Sequence, residues 1–267
     1  MFDLIIISVG LLICIGIILG VAIGLAAKFF KVHQDPKLEL IQEALPGANC
    51  GGCGFAGCAD FAKAVLENGK RAEHCPVCSD VELTKISSIL GTSSIPKTVK
   101  KVAFVLCGGD REKAEFAANY NGILDCVSAS IVSGGVKGCQ MGCLGFGSCV
   151  RACPFNAIEL TAKGLAVVHP ELCVGCEKCI RSCPKKIIKM VPSSVQVHIL
   201  CSSTEKGVAK KKYCSVSCIG CRKCFNNVKN GEIEMSGFLA KINYENPPLK
   251  EIVEQSKCPT GCLTDKY

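Results

Sequence analysis

Cys173-Val174-Gly175-Cys176-Glu177-Lys178-Cys179-Ile180-Arg181-Ser182-Cys183-Pro184 decides the reading of this chain. Its spacing is C-x2-C-x2-C-x3-C-P. Three thiolates so close on a tight loop can hold three irons of one cubane [4Fe–4S] cluster. The fourth cysteine, followed by proline, is directed away and ligates the other cluster of a two-cluster fold. Zinc is the plainer alternative, but structural zinc usually takes two separated C-x2-C pairs, or cysteine with histidine.

The other half of such a module is expected upstream. Cys149-Val150-Arg151-Ala152-Cys153-Pro154 repeats the C-x3-C-P ending. Counting back from Cys149, the remaining ligands should fall at positions 146 and 143. Cys143 is present, but position 146 is Phe146, and Cys139 is the substitute nearest in sequence. The expected sets are therefore Cys139, Cys143, Cys149 and Cys183 for one cluster, and Cys153, Cys173, Cys176 and Cys179 for the other. Residues 139–191 resemble a two-cluster ferredoxin domain with one altered ligand loop.

Composition supports metal ligation. The chain has 267 residues and 23 cysteines. An odd number of cysteines arranged in C-x2-C runs fits poorly with a secreted disulfide framework, and thiolate clusters imply a reducing compartment. Tryptophan is absent and aromatics are 6% of residues, so the core is lean and ligation supplies much of the folding free energy. The formal charge of +8 points to nucleic acid at first sight. Each oxidised cubane with its four thiolates carries about −2, however, so four clusters bring the total near zero. No nucleic-acid partner is expected, and Lys210-Lys211-Lys212 reads as a solvated loop.

From the N-terminus, Leu4 to Ala27 is uncharged and long enough to span a bilayer as a helix. A signal peptide is the rival reading, since Ala26-Ala27 resembles a cleavage site. Yet Met1-Phe2-Asp3 offers no basic start, and the apolar run is too long. Lys28 and Lys31 follow at once, which places the rest of the chain on the cytoplasmic side of a single-pass anchor. The domains expected are an anchor (1–30), an N-terminal [4Fe–4S] domain (31–90), a middle α/β segment (99–138), the two-cluster module (139–191) and a C-terminal module (192–267).

In the N-terminal domain, Asp35-Pro36 opens a helix running to about Leu45. Cys50, Cys53, Cys58 and Cys75 then form a C-x2-C-x4-C-x16-C set. Its glycine-rich loop lets the backbone fold closely round a cofactor and aim N–H groups at its sulfurs. Four sulfurs without histidine or carboxylate suit zinc or an iron–sulfur cluster. Ala59 to Asn68 reads as a helix closed by Gly69, and Cys78 is a spare.

The membrane helix, the loop Asn49-Cys50-Gly51-Gly52-Cys53-Gly54-Phe55-Ala56-Gly57-Cys58 and the following ferredoxin module together resemble the B subunit of the Rnf complex. That complex is the ion-translocating ferredoxin:NAD+ oxidoreductase of bacterial membranes. The resemblance runs from residue 1 to about 190, and the order of motifs is more specific than any motif alone. It implies a subunit of the inner (cytoplasmic) membrane that takes electrons from soluble ferredoxin and passes them to the membrane-embedded Rnf subunits. The middle segment and the C-terminal extension resemble the longer versions found in anaerobes.

Gly91-Thr92-Ser93-Ser94-Ile95-Pro96 reads as a linker, Val102 to Leu106 as a buried strand, Arg111 to Tyr120 as a helix and Gly134-Gly135 as a turn. No dinucleotide or Walker loop occurs. After Pro192 the chain repeats itself: Val195 to Cys201 echoes Val102 to Cys107, and Cys214-x3-Cys218-x2-Cys221-x2-Cys224 echoes the run from Cys139 to Cys149. Val228, Pro248, Glu251 and Glu254 stand where the second set of this copy would be. Loss of those four removes one complete cluster and leaves Cys218, Cys221, Cys224 and Cys258 as a single site.

Four [4Fe–4S] clusters, within a range of three to five, account for 16 cysteines. Cys14, Cys78, Cys107, Cys126, Cys201, Cys214 and Cys262 remain, either as buried thiols beside the clusters or, for Cys107, Cys126, Cys201 and Cys214, as alternative ligands. The four histidines show no ligand spacing. The expected fold is α+β: a transmembrane helix, a small helical cluster domain and ferredoxin-like modules. The expected role is electron relay without an acid–base or nucleophilic constellation. Another anaerobic membrane reductase, or a zinc-bound scaffold, are the competing readings.

Overall fold

The structure, a computed structural model, describes residues 2–29, 35–92 and 99–265. Helix α1 (Phe2–Phe29) is the one helix among the described residues long and apolar enough to cross a membrane. Its stretch Ile5–Ala26 has a mean hydropathy of 3.0 and buries nothing against the rest of the chain. Apolar side chains exposed all round a helix have no place in water and suit lipid. Lys28 closes its last turn. Lys31 and most of the expected linker (Ser93 to Pro96) lie outside the described residues.

The N-terminal domain is three helices, α2 (Pro36–Ala44), α3 (Cys58–Glu67) and α4 (Asp80–Leu90). Asp35 caps α2 by accepting from the Lys37 N–H at 2.9 Å, with Pro36 in the first turn. Ser79 and Glu82 form a reciprocal capping box on α4, and Gly91 ends it in the left-handed conformation. Ile41, Phe61, Ala62 and Ile86 meet at the centre, each no more than 1% exposed.

Strand β1 (Lys101–Val105), helices α5 (Cys126–Ile131) and α6 (Ser148–Arg151), the hairpin β2 (Ile158–Leu160)–β3 (Ala166–Val168), helix α7 (Lys178–Ser182) and strand β4 (Ile188–Pro192) form the next unit. β1 pairs antiparallel with β4, setting Val102 opposite Val191, both fully buried. The expected middle segment is therefore part of the ferredoxin-like unit, since it supplies one strand of its two-stranded sheet. The expected helix Arg111 to Tyr120 does not form. Asp110 instead caps one turn by accepting from the N–H groups of Glu112 and Lys113 at 3.0 Å. Ala114 then bridges Cys214, and Phe116 bridges Lys137. Long-range pairing here overrides local propensity.

The C-terminal unit repeats that plan with strand β5 (His198–Ile199), helices α8 (Gly207–Tyr213) and α9 (Lys223–Asn226), hairpin β6 (Ile233–Ser236)–β7 (Leu239–Ile242), helix α10 (Ile252–Ser256) and strand β8 (Leu263–Thr264). The correspondence reaches single hydrogen bonds: Leu106 N–H donates to Ile187 O at 2.8 Å, and Leu200 N–H to Cys262 O at 2.8 Å. The lysine run is not a solvated loop. It lies in α8, where Lys211 and Lys212 are exposed but Lys210 is fully buried. The two units are joined by Gly108 N–H to Leu200 O at 3.1 Å, Ser215 N–H to Lys113 O at 2.9 Å, and the Phe104 ring stacked on His198 at 3.8 Å.

Because α1 adds nothing to these cores, a chain lacking residues 1–28 should remain folded, soluble without detergent and brown after anaerobic iron–sulfur reconstitution. Size-exclusion chromatography with iron analysis checks this. A colourless or aggregated product would contradict the separation of anchor from clusters.

Candidate iron–sulfur sites

Three loops share one backbone conformation. In Cys173–Cys179, Gly175 and Glu177 are left-handed (φ +76° and +61°); in Cys218–Cys224, Gly220 and Arg222 are (φ +71° and +61°). In Cys143–Cys149, Gly145 and Gly147 are (φ +75° and +74°), although Phe146 stands where the other two loops have a cysteine. Alternating left-handed residues curl a loop into a concavity with its N–H groups facing inward, suited to an anionic group. Glycine is required at 175, where a Cβ would stand 2.9 Å from Lys101 O.

Cys153, Cys173, Cys176 and Cys179 surround one pocket, as their spacing predicts. Backbone N–H groups point at the sulfurs: Ala103 donates to Cys173 Sγ at 3.3 Å and Ala157 to Cys153 Sγ at 3.4 Å. Burial, with Cys173, Cys176 and Cys153 alongside, pushes the Cys179 thiol up to about 12. Cys183 turns away from its sequence neighbours and lines a second pocket with Cys143 and Cys149, again as expected.

The fourth cysteine of that second pocket corrects the sequence reading: it is Cys126, not Cys139. Cys126 opens α5 behind the cap residue Asp125. The Cys126 N–H donates to Ser148 Oγ at 2.8 Å, and Ser148 Oγ donates to Asp125 Oδ1 at 2.6 Å. Arg151 Nη2 reaches the same oxygen at 3.2 Å. The Ser148 hydroxyl, two backbone N–H groups and Arg151 hold the Asp125 carboxyl down at about 2, so it is an anion throughout the working pH range. This network pins α5 to α6, the helix that carries Cys149. Phe146 packs on Tyr120 at 5.2 Å. Cys139 instead lies in the field of Cys107, Cys201 and Cys214.

In the N-terminal domain, Asn49 Oδ1 accepts from the Cys58 N–H at 2.8 Å and so closes the loop that carries Cys50 and Cys53. Cys53 is raised by burial, with Cys75 and Cys50 adding to the effect, so these sulfurs are neighbours. Cys78 is 2% exposed within the helical core. The domain docks on the next unit through this loop: a Cβ on Gly52 would stand 3.1 Å from Cys176 Cα. In the C-terminal unit, Cys218, Cys221, Cys224 and Cys258 line one pocket. Cys262 also touches it, but occupies the core place that Ile187 fills in the first repeat, and both are 2% exposed.

All 23 cysteines are free of disulfides. Among the described residues, no three His, Cys, Asp or Glu side chains converge closely enough to hold one metal ion. Four thiols round each pocket, with N–H groups aimed at the sulfurs, fit a cubane, whose thiolate ligands accept such hydrogen bonds.

The comparisons with known proteins agree. A family model described as a putative Fe-S cluster matches residues 45–77, and one described as a 4Fe-4S dicluster domain matches residues 138–187. The B subunit of the Na(+)-translocating ferredoxin:NAD(+) oxidoreductase complex of Acetobacterium woodii is 39% identical over 265 residues, covering 99% of this chain and 79% of that protein. The B subunit of the ion-translocating oxidoreductase complex of Methanosarcina acetivorans is 41% identical over 238 residues, 89% of this chain and 90% of that protein. The B subunit of the proton-translocating ferredoxin:NAD(+) oxidoreductase complex of Clostridium ljungdahlii is 38% identical over 251 residues, 93% and 88% of the two chains. The chain thus carries several [4Fe–4S] clusters and belongs to the family of Rnf complex B subunits, as the membrane-associated iron–sulfur electron-transfer component.

Proposed function

We propose that this subunit accepts electrons from reduced soluble ferredoxin on the cytoplasmic side of the membrane and delivers them to the membrane-embedded Rnf subunits, held by α1 as a single-pass anchor. The observation that carries the proposal is that three of the four cysteine sets adjoin one another in series. Cys50 of the N-terminal set lies in the field of Cys176, and Cys149 in that of Cys179. Lys28 at the end of α1 supports the orientation, since basic residues flanking a span stay on the cytoplasmic side. Two of the relatives are subunits of ferredoxin:NAD(+) oxidoreductase complexes, which supports ferredoxin as donor.

The ligands proposed are Cys50, Cys53, Cys58 and Cys75; Cys126, Cys143, Cys149 and Cys183; Cys153, Cys173, Cys176 and Cys179; and Cys218, Cys221, Cys224 and Cys258. A bound [4Fe–4S] cluster takes up or releases one electron with little change of shape, at a potential tuned by hydrogen bonds and exposure. The chain's own residues hold the sulfurs, aim N–H groups at them and limit water. Cys149 is pushed up to about 12 and Cys224 to about 11, burial being the main cause in each. Thiols held this firmly give up their protons only to a metal, so loading releases acid and strengthens with rising pH.

Stopped-flow mixing of reduced ferredoxin with the oxidised full-length chain in detergent should bleach its brown absorbance within seconds. A chain that ferredoxin leaves oxidised, while dithionite reduces it, would overturn this reading. The ligand assignment makes two sharper statements. Cys126→Ser should convert or destroy one cluster of the ferredoxin-like unit, seen as a changed low-temperature EPR spectrum, whereas Cys139→Ser should leave the spectrum of that pair intact. Cys258→Ser should lose about four irons from the C-terminal site, and Cys262→Ala none, because Cys262 fills a core position.

A further inference from the structure

The two repeats meet at a place the four proposed sites do not use. Cys107 follows β1 and Cys201 follows β5; Cys139 and Cys214 each stand four residues ahead of the first cysteine of their ligand loop. These four, two equivalent residues from each repeat, face one another. Cys139 and Cys214 each lie in the field of Cys107 and Cys201. All four line one pocket at the seam between the units. A Cβ placed on Gly109 would stand 3.2 Å from Cys214 Sγ and 3.9 Å from Cys107 Sγ, so only glycine leaves room there.

The N–H groups follow the same symmetry. Cys143 N–H donates to Cys107 Sγ at 3.4 Å, and in the other repeat the Cys218 N–H serves Cys201. Met141 N–H serves Cys139, and Val216 N–H serves Cys214. The N–H groups are aimed as metal-bound thiolates require, while in Cys139 and Cys214 burial outweighs them and pushes the free thiol up.

A second, independent observation concerns charge. Lys137 and Lys210 are 2% and 0% exposed, and neither has a carboxylate partner among the described residues. Lys137 Nζ donates to Gly109 O at 2.5 Å; Lys210 Nζ donates to Ser203 O at 3.1 Å and Phe238 O at 2.9 Å. Carbonyls satisfy hydrogen bonds but do not neutralise a buried ammonium, which is strongly unfavourable without a counter-charge. Lys137 acts on Cys214 at the seam and on Cys143 of the first repeat. Lys210 acts on Cys201 at the seam and on Cys218 of the second. Each buried cation thus stands between the seam and one neighbouring cluster site.

We infer that Cys107, Cys139, Cys201 and Cys214 hold a fifth [4Fe–4S] cluster, bound jointly by the two repeats at their interface. A dianionic cubane supplies the negative charge that the two lysines lack. Its position also completes the series. The Cys143–Cys107 contact links it to the first repeat, and Cys262, within hydrogen-bonding reach of both Cys201 and Cys218, links it to the second. Without a seam cluster, the C-terminal site would be the one member of the series with no neighbour.

The test is the iron and acid-labile sulfide content of the full-length chain, reconstituted anaerobically in detergent, with Mössbauer spectroscopy to count cubanes. Five sites give about 20 irons per chain and four give about 16. The double variant Cys107→Ser/Cys201→Ser should lose about four irons while the EPR signals of the other sites persist. Cys262→Ala, a buried cysteine outside every set, should keep the wild-type iron content. A wild-type content of about 16 irons, unchanged by the double substitution, would overturn the inference. If the double variant does not fold, the wild-type Mössbauer count decides alone. None of these readings depends on which protein donates electrons, so failure here and failure of the ferredoxin reading are separate results.

Discussion

Four sulfurs held round each metal cluster are the constraint on which the rest depends. Cores this lean do not close by apolar burial alone. The N-terminal domain centres on a few residues such as Ile41, Phe61 and Ile86, and each ferredoxin-like unit relies on a two-stranded sheet and one hairpin. Ligation adds folding free energy that short strands and four-residue helices do not supply. The left-handed residues at 145, 147, 175, 177, 220 and 222 belong to the same requirement, since a loop must reverse within three residues to present successive sulfurs to one cubane.

Duplication explains both what was kept and what was lost. The strand pairing β1–β4 and β5–β8, the paired hairpins, and the matched bonds to Ile187 O and Cys262 O show one plan used twice. The second copy lacks cysteines at the positions of one set and has Cys262 where the first has Ile187. The first copy lost the central cysteine of one loop to Phe146. A fourth sulfur in its pocket comes from the longer stretch between its first strand and ligand loop, where Asp125, Ser148 and Arg151 fix Cys126 in place. At the seam the copies face each other with equivalent residues, and a site appears there that neither copy has alone.

Much of this was legible in the sequence, because metal ligation writes its spacing directly. The apolar N-terminal helix, the helix after Asp35, the strand at 102, and the placing of Cys153, Cys183 and Cys258 in separate pockets all follow from local pattern. The structure places Cys126 rather than Cys139 in the pocket of Cys143, Cys149 and Cys183, because proximity in sequence says nothing about a residue delivered by a separate helix. A signal was nevertheless present. Cys214 is the counterpart of Cys139, and its own repeat already has four ligands without it, so the pair required a shared explanation. The helix expected over Arg111 to Tyr120 does not form because Ala114 pairs across the seam with Cys214 and Phe116 pairs with Lys137 of its own repeat. Lys210, read as solvated, is buried because α8 packs its base beside two cysteine sites.

Anomalous scattering at the iron absorption edge, from crystals of the anaerobically prepared holoprotein, tests the central claim most directly. The account predicts separate iron peaks at each cysteine set in series, with Cys126 and not Cys139 beside the peak shared by Cys143, Cys149 and Cys183, and a further peak between the repeats. Iron beside Cys139 together with Cys143 and Cys149, or a seam without iron, would contradict it.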